Sequence, residues 1–235
     1  MPTMAAQRPY VIVNVAMSVD GKIDTIARKG ATISSAADKS RVDQLRAAVD
    51  AVMVGGRTLI HEDPKLTVKS AQLRLKRKAR GLEENPAKVG VVTLADLRPE
   101  GRFMTAGPAR RLIFTTRRTS PELVSRLETA GAQVFVHGRN GVDLSRVMKS
   151  LPACGIRKLM VEGGGTLIAE CFRLGFVDEV YAYVAPVIFA GAMAPTLADG
   201  PGFLQDRFPR LQLISVEKLD EDGGVLIHYS FPHKG

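Results

Sequence analysis

Three consecutive glycines separate an apolar stretch from a helical one in "KLMVEGGGTLIAE", residues 158–170. The apolar residues before the glycines are typical of a buried strand, and the residues from Thr166 onward have the spacing of an amphipathic helix. Glycine costs about 0.5–1 kcal/mol inside regular structure, so a triplet between two ordered elements needs a physical reason. Either the backbone makes a turn that only glycine permits, or another group approaches it very closely.

The rest of the chain alternates between strand and helix patterns in the same way. Besides the strand before the glycines, strands are predicted at 10–18, 51–56, 89–94, 111–116, 132–137 and 178–191, and helices at 36–49, near 121–130, near 143–151 and at 166–174. The tail differs, because two strand patterns at 211–219 and 225–231 flank "DEDGG", which indicates a hairpin. The order predicts an α/β fold with a mostly parallel central sheet, helices on both faces and a C-terminal antiparallel hairpin. No repeat or linker appears, so we expect one domain over 1–235 with an ordered core from about 10 to 231.

The composition is that of an ordinary globular protein, with 45% hydrophobic and 24% charged residues. No apolar run approaches the roughly 18 residues that a membrane span needs, so no membrane association is expected. The first residues, "MPTMAAQRPY", lack the apolar core of a signal peptide, and a cytoplasmic location is predicted. Cys154 and Cys171 stand in no metal-ligand spacing, which predicts core or near-core thiols and no metal site.

The net charge of +9 suggests an anionic partner. Nucleic acid is not expected, because aromatic residues make up only 6% of the chain and no nucleic-acid-binding motif appears. A phosphorylated small molecule would use basic side chains equally well. Much of the basic charge falls in one stretch, which is interpreted as a solvated helix or excursion: Lys65, Lys69, Arg74, Lys76, Arg77, Lys78 and Arg80.

The glycine triplet lies where ligands bind in many α/β proteins, at the carboxyl end of a strand and the start of a helix. It does not match the dinucleotide fingerprint G-x-G-x-x-G, because the third glycine position is occupied by Ile168. From this stretch alone, a phosphate site and a simple tight turn are equally good interpretations.

Two further stretches accompany the glycines: "NVAMSVDGKI" (14–23) and "RAAVDAVMVGGRTLIHEDPKLTV" (46–68). With "VEGGGTLIAECFRLGFVDEVYAYVAPVIFAG" (161–191), in this order and spacing, they resemble the riboflavin-biosynthesis reductases. That family comprises stand-alone archaeal and fungal enzymes and the reductase domain of a bifunctional bacterial protein. The resemblance covers about residues 10–231 and implies a dihydrofolate-reductase-like fold and NADPH as cofactor.

The resemblance also implies the reaction. The family reduces the ribosylamino group of a pyrimidine 5′-phosphate to a ribitylamino group by hydride transfer to C1′. The chain lacks the H-x-E and P-C-x-x-C residues of an attached zinc deaminase, which favours 2,5-diamino-6-ribosylamino-4(3H)-pyrimidinone 5′-phosphate as substrate. The alternatives are 5-amino-6-(5-phosphoribosylamino)uracil, another pterin-like or pyrimidine-like substrate, and a non-enzymatic nucleotide binder. A homodimer is implied, and the apolar run 180–190 is the expected contact.

Family positions that bind NADPH correspond here to Ala16, Thr58, Glu62 and the loop Gly163, Gly164, Gly165, Thr166 and Leu167. The family usually reads Asp-Asp-Pro where this chain has Glu62-Asp63-Pro64, so Asp63 is a second candidate for that contact. An Asp-Ser-like pair that many members carry near the adenosine is absent from "VVTLADLRP". Recognition of the 2′-phosphate is therefore open between Thr93 and the pair Arg117 and Arg118.

Substrate positions of the family correspond to Ser18, Lys22, Arg46, Lys69 and Glu162. Lys69 stands where the family usually has arginine, which offers phosphate a bidentate fork that lysine lacks. Lys22 and Glu162 are the predicted catalytic residues, and Glu162 could bond the pyrimidine or relay a proton. Asp20 is expected to be a turn residue, because Asp-Gly favours turns.

Overall fold

The computed structural model describes residues 8–205 and 207–232. In this part of the chain strands and helices follow one another nearly as the sequence predicts. In chain order the elements are β1 (Tyr10–Ser18), α1 (Ala36–Ala48), β2 (Ala51–Gly55), α2 (Ala71–Ala79), β3 (Ala87–Val91), α3 (Arg102–Thr105), β4 (Arg111–Thr115), α4 (Pro121–Thr129), β5 (Gln133–Val136), α5 (Leu144–Ser150), β6 (Lys158–Gly163), α6 (Gly165–Arg173), β7 (Glu179–Ala185), β8 (Gln212–Lys218) and β9 (Val225–Ser230). Short π-helical and 3-10 turns add Thr58–Glu62 and Leu151–Cys154. No helix within the described ranges is long and apolar enough to cross a membrane.

The chain forms two compact units. One contains residues 46–160, and the other contains 11–45 and the chain from Val161 onward. In the first unit the strand order is β5-β4-β3-β2, all parallel, and β2 is buried along its whole length. The second unit begins within β6, and its strand order is β6-β1-β7-β9-β8, where β7 runs parallel to β1 and antiparallel to β9. The predicted α/β class, the mostly parallel sheet and the antiparallel C-terminal hairpin are confirmed, whereas a single domain over 1–235 stays a prediction.

The strand predicted at 178–191 ends early, at Ala185. The next residue is Pro186, which has no N–H to donate to a neighbouring strand. The chain then turns, and the Asp20 carboxylate accepts hydrogen bonds from the amides of Phe189 (3.1 Å) and Ala190 (2.8 Å). The apolar run is therefore divided into a buried strand and a loop anchored to the end of β1.

Part of the basic stretch holds the fold together. Arg77, on α2, is buried and donates to the carbonyls of Ala47 (3.0 Å), Val49 (2.7 Å) and Glu83 (2.8 Å). Arg74 donates to the carbonyl of Val68 (3.0 Å) in the segment before the same helix. The excess positive charge of the sequence thus overstates the charge available to a ligand.

Lys88 is the second buried cation of the first unit, and its side chain has no solvent exposure. Its Nζ donates to the carbonyls of Phe103 (2.9 Å) and Ala106 (2.6 Å), at the end of α3, where helix carbonyls lack intrahelical partners. Burial, with a smaller effect of Arg111, lowers the pKa of Lys88 from 10.5 to about 8. In the unfolded chain the group keeps its ordinary pKa, so between these values the unfolded state binds more protons.

We expect this difference to appear as a pH dependence of stability. As pH rises from about 8 towards 10.5, the unfavourable buried charge disappears and the contribution of Lys88 to the free energy of unfolding increases. The free energy of unfolding of wild type minus that of Lys88→Met, measured by urea denaturation, should therefore be larger at pH 9.5 than at pH 7 by about 1 kcal/mol or more.

Lys76→Met is the matched control, because Lys76 is an exposed lysine on α2. Its difference from wild type should not change with pH. A Lys88→Met difference that is equally flat would show that the folded-state pKa of Lys88 is ordinary.

Candidate functional site

The glycine triplet connects β6 to α6. Gly163 has φ +138°, a conformation that side chains disfavour, and the peptide bond from Gly163 to Gly164 is cis. No described heavy atom would lie within 4 Å of a Cβ on Gly163, so the space in front of this residue is open. Gly164 has extended angles (φ −77°, ψ 178°) and is the N-cap of α6, without a capping side chain. At Gly163, the backbone conformation itself requires glycine.

The helix that follows offers backbone amides. Its first internal hydrogen bonds run from the amides of Leu167 (3.0 Å) and Ile168 (3.1 Å) to the carbonyl of Gly164. The amides of Gly165 and Thr166 precede these bonds, and the first amides of a helix have no intrahelical acceptor. The first turn holds no acidic residue, and Thr166 is exposed. This end of α6 suits a phosphate group, which gains from both the amides and the helix dipole.

The third glycine, Gly165, is required for a different reason. A Cβ on Gly165 would overlap the carbonyl oxygen of Thr196 and lie 3.0 Å from the Asp199 carboxylate. The Asp199 amide donates to the carbonyl of Gly165 (3.1 Å), and Asp199 accepts from the amide (3.0 Å) and hydroxyl (2.7 Å) of Thr196. The segment 194–199 therefore packs directly against the start of α6. Sequence reasoning missed this contact, although the Thr-x-x-Asp spacing in "PTLADG" is a signal for such a self-capped turn.

Lys22 is held by a tight loop at the end of β1. The amides of Ser18 and Gly21 donate to the carbonyls of Lys22 (2.8 Å) and Ser18 (2.9 Å) respectively, and the Lys22 amide donates to the Ser18 hydroxyl (2.9 Å). Ser18 itself has no exposed surface. The loop fixes the backbone of Lys22, while its side chain lies half-buried.

The Lys22 loop and the glycine loop are brought together by the segment 194–199. Lys22 forms an antiparallel bridge with Thr196, and its Nζ donates to the carbonyl of Ala194 (3.4 Å). The amide of the next residue, Ile23, donates to Pro195 (3.0 Å). A predicted substrate residue and a predicted cofactor loop thus contact the same short segment.

Asp20 follows Ser18 in this loop and anchors it. The Ser18 hydroxyl, and then the amides of Phe189 and Ala190, lower the pKa of the Asp20 carboxyl below its ordinary value. The exposed carboxylate therefore stays charged and keeps the loop 187–190 beside the end of β1.

The remaining predicted residues of the second unit lie on the neighbouring strands β1 and β6 and on α6. Ala16 is paired with Tyr183 of β7 and packs against a small core of Tyr183, Ala185 and Leu226. Glu162 is half-buried and immediately precedes the glycines. Leu167 lies on α6 and is 9% exposed.

In the first unit the predicted cofactor residues follow β2. Thr58 is half-buried and begins the π-helical turn, and Glu62 at its end is exposed. Asp63 has φ 45° and caps α3, because its two carboxylate oxygens accept from the amides of Arg102 (2.7 Å) and Phe103 (2.8 Å). This occupies the Asp63 carboxylate within the fold, and its cofactor contact stays a prediction.

Arg46 and Lys69 also belong to the first unit. Arg46 is half-buried, and its Nη1 donates to the carbonyl of Thr67 (3.1 Å). Lys69 is exposed, and its carbonyl accepts from Arg74 (2.7 Å). Arg46 therefore braces the segment that presents Lys69.

The two cysteines differ in burial. Cys171 is fully buried on α6, where burial raises its pKa to about 12, and Cys154 is half-buried. Both thiols are free. Within residues 8–205 and 207–232, no three His, Cys, Asp or Glu side chains are grouped so as to hold a metal ion.

Comparison with known proteins gives close relatives over nearly the full chain. A protein of Archaeoglobus fulgidus named 2,5-diamino-6-ribosylamino-4(3H)-pyrimidinone 5′-phosphate reductase is 40% identical over 223 residues, covering 95% of this chain and 99% of the relative. A protein of the same name from Methanothermobacter thermautotrophicus is 39% identical over 225 residues, covering 95% and 98%.

The fold is also found among solved structures. A pyrimidine reductase-like protein of Corynebacterium diphtheriae superimposes with a TM-score of 0.81 at 19% identity, covering 96% of this chain and 93% of that one. The family model of the RibD C-terminal domain matches residues 9–224. With its strand order, glycine loop and Lys22 loop, the chain belongs to the RibD C-terminal domain family.

Proposed function

We propose that this protein is the reductase of riboflavin biosynthesis that acts on 2,5-diamino-6-ribosylamino-4(3H)-pyrimidinone 5′-phosphate, with NADPH as reductant. The observation that carries the proposal is the shared contact of the Lys22 loop and the glycine loop with the segment 194–199. It is supported by the name of relatives that match almost end to end at 39–40% identity.

The reaction needs one hydride and one proton. Opening of the ribose ring breaks the bond between C1′ and the ring oxygen, moves the proton of the exocyclic nitrogen to that oxygen and leaves a C1′=N double bond. Reduction adds a hydride to C1′ and a proton to the nitrogen, which gives the open-chain ribitylamino product. The protein must therefore orient C1′, bind the 5′-phosphate and conduct one proton.

The glycine loop fits a dinucleotide diphosphate. Gly163 leaves open space in front of the backbone, and the start of α6 presents amides that are free of intrahelical bonds. When bound, NADPH supplies the hydride for C1′. We assign the backbone of Gly163–Leu167 to the diphosphate and Ala16 to the nicotinamide, where a small side chain leaves room for a flat ring.

Lys22 and Glu162 are the proposed catalytic residues. The ammonium group of Lys22 stabilises negative charge on the substrate, and the Glu162 carboxyl relays the proton to the nitrogen. Ser18 acts through Lys22, because its buried hydroxyl accepts from the Lys22 amide. Ser18 is therefore a positioning residue in this proposal rather than a direct substrate contact.

For the first unit we propose individual roles that follow the family positions. Thr58, whose hydroxyl stands at the start of a turn after β2, and the exposed Glu62 bind the cofactor. Arg46 and Lys69 bind the substrate, with Lys69 as the weaker phosphate ligand because an ammonium group is a point charge. A cytoplasmic location stays a prediction.

The substrate assignment is tested by following NADPH oxidation with each pyrimidine. We expect kcat/KM for the diaminopyrimidinone to exceed that for the deaminated uracil compound by at least about tenfold, a difference of roughly 1.4 kcal/mol in transition-state binding. The reverse order would identify the uracil compound as the substrate. No oxidation with either compound would end the reductase proposal.

Replacement of Lys22 tests the substrate role of its loop. Lys22→Ala should lower kcat/KM for the pyrimidine by at least about tenfold, because one charged contact is lost in the transition state. NADPH affinity, measured by fluorescence titration, should stay within about twofold of wild type. This is well below the tenfold change that corresponds to about 1.4 kcal/mol of binding free energy.

Lys29→Ala is the matched control, since Lys29 is an exposed lysine a few residues further along the same loop. It should change neither quantity. If Lys22→Ala weakened NADPH binding and substrate turnover equally, Lys22 would belong to the cofactor instead.

We also propose that the protein is a homodimer, with β8 as the contact in place of the run 180–190. Residues Val180, Ala182, Tyr183 and Ala185 are at most 4% exposed, which leaves little of β7 for a partner. β8 lies at the edge of the sheet order, and all seven of its residues are exposed. Leu213, Ile214 and Val216 are 53–55% exposed, and a second copy of the same strand would cover them and pair the open edge.

Light scattering of the purified protein should give about twice the chain mass of 25.4 kDa. The double variant Ile214→Glu, Val216→Glu should give the mass of one chain, because two buried carboxylates would oppose association. Leu75→Glu, a charge placed at a 65% exposed position of α2, should leave the dimer intact. A monomeric wild type, or an unchanged dimer in the double variant, would contradict the proposal.

A further inference from the structure

Two adjacent arginines, Arg117 and Arg118, occupy a tight turn at the carboxyl end of β4. Both are exposed, and within the described part of the chain neither guanidinium has a side-chain partner. The turn itself is well defined, because the amide of Thr119 donates to the carbonyl of Thr116 (3.1 Å) and the amide of Arg118 donates to the Thr116 hydroxyl (3.1 Å).

We propose that Arg117 and Arg118 bind the 2′-phosphate of the cofactor and so make the protein prefer NADPH to NADH. The inference rests on the proposed function, from which it takes the dinucleotide. The Asp-Ser-like pair that many family members carry near the adenosine is missing from "VVTLADLRP", so the 2′-phosphate needs other ligands in this chain.

The position of the turn suits the adenosine half of the cofactor. β2, β3 and β4 are parallel neighbours, so their carboxyl ends lie at the same edge of the sheet of the first unit. Thr58, a proposed cofactor residue, follows β2, and the arginines follow β4, two strands away. Two strand spacings are about 10 Å, roughly the length of an adenosine. A nucleotide that starts near Thr58 and runs along this edge would bring its ribose to the arginines.

A network of threonines makes the turn rigid. The hydroxyls of Thr115 (3.4 Å) and Thr116 (2.7 Å) donate to the carbonyl of Thr93, in the loop after β3. The hydroxyls of Thr115 and Thr119 lie 2.6 Å apart, and Thr119 accepts from the amide of Ala95 (2.9 Å). The loops after β3 and β4 are therefore fastened to each other, and a phosphate bound there would need little further ordering.

The same network favours the arginines over Thr93 as ligands of the 2′-phosphate. The backbone of Thr93 is used to hold the turn, and its hydroxyl is a neutral group. A phosphate monoester carries nearly two negative charges, and paired guanidinium groups match it with charge-assisted bidentate hydrogen bonds. Thr93 thus supports the site, and Arg117 and Arg118 supply the charge.

The two chain segments that form the turn and its neighbour carry only positive charge. Residues 111–121 contain no Asp or Glu, and neither do residues 132–142, the segment of β5 and the loop after it. That loop is adjacent in space, because the amide of Arg117 donates to the carbonyl of Gly138 (3.1 Å), and it adds a further arginine, Arg139. The segments that carry Arg117, Arg118 and Arg139 are therefore basic, and the nearby Asp96 carboxylate, beside Ala95, is already paired with Arg126 (3.0 Å).

Calorimetric titration with adenosine 2′,5′-bisphosphate and with 5′-AMP tests the site without turnover. We expect wild type to bind the bisphosphate at least about thirtyfold more tightly than AMP, and the double variant Arg117→Ala, Arg118→Ala to reduce this ratio to about threefold or less. Arg117→Lys, Arg118→Lys should retain part of the ratio, which would show that charge rather than turn geometry was lost. Melting temperatures check that each variant is folded.

Arg110→Ala is the matched control, because Arg110 is an exposed arginine just before β4, at the opposite end of the same strand. It should bind both nucleotides as wild type does. An unchanged ratio in the folded double alanine variant, or no preference in wild type, would overturn the inference. The titration contains no pyrimidine, so it tests this site independently of the substrate. If the double alanine variant lost the affinity ratio but the wild type had no reductase activity, the proposed substrate would be wrong and this site would stand.

Discussion

The close approach of one carbonyl oxygen to one glycine organises the candidate site. The Thr196 carbonyl lies where any side chain on Gly165 would stand, so the segment 194–199 can reach the start of α6 only because that residue is glycine. The same segment bonds Lys22 on its other side. If a larger residue displaced it, the helix end and the lysine would lose their common support. The arrangement of the site therefore depends on a contact within the protein itself, and this contact forms without a ligand.

The distribution of positive charge shows how a fold uses cations before any ligand does. Arg77 and Lys88 are buried and satisfy backbone carbonyls that would otherwise be left unpaired inside the first unit. An unpaired buried carbonyl costs about 1–3 kcal/mol, so these residues have a structural reason to be basic. The arginines after β4 differ, because they are exposed and the turn that carries them is already stabilised by threonine hydroxyls.

Two parts of the second unit have different physical characters. The polar loops after β1 and β7 are fastened to each other by Asp20, which accepts from the amides of Phe189 and Ala190. The edge strand β8 instead leaves an open strand edge and exposed aliphatic side chains. Such an edge favours association with another strand unless it is covered, whereas a paired loop can remain exposed. In our proposals, chemistry and assembly therefore use separate parts of the unit.

The sequence by itself determined the order of the elements, because hydrophobic periodicity and the "DEDGG" hairpin signal are local properties of the chain. It also singled out the glycine triplet and, through its resemblance to a family, Lys22. Only the tertiary structure decided why each glycine is needed: Gly163 for its backbone angle and Gly165 for the approach of Thr196. That contact joins residues about thirty positions apart, and hydrogen bonds over such separations follow from packing, which no local pattern encodes.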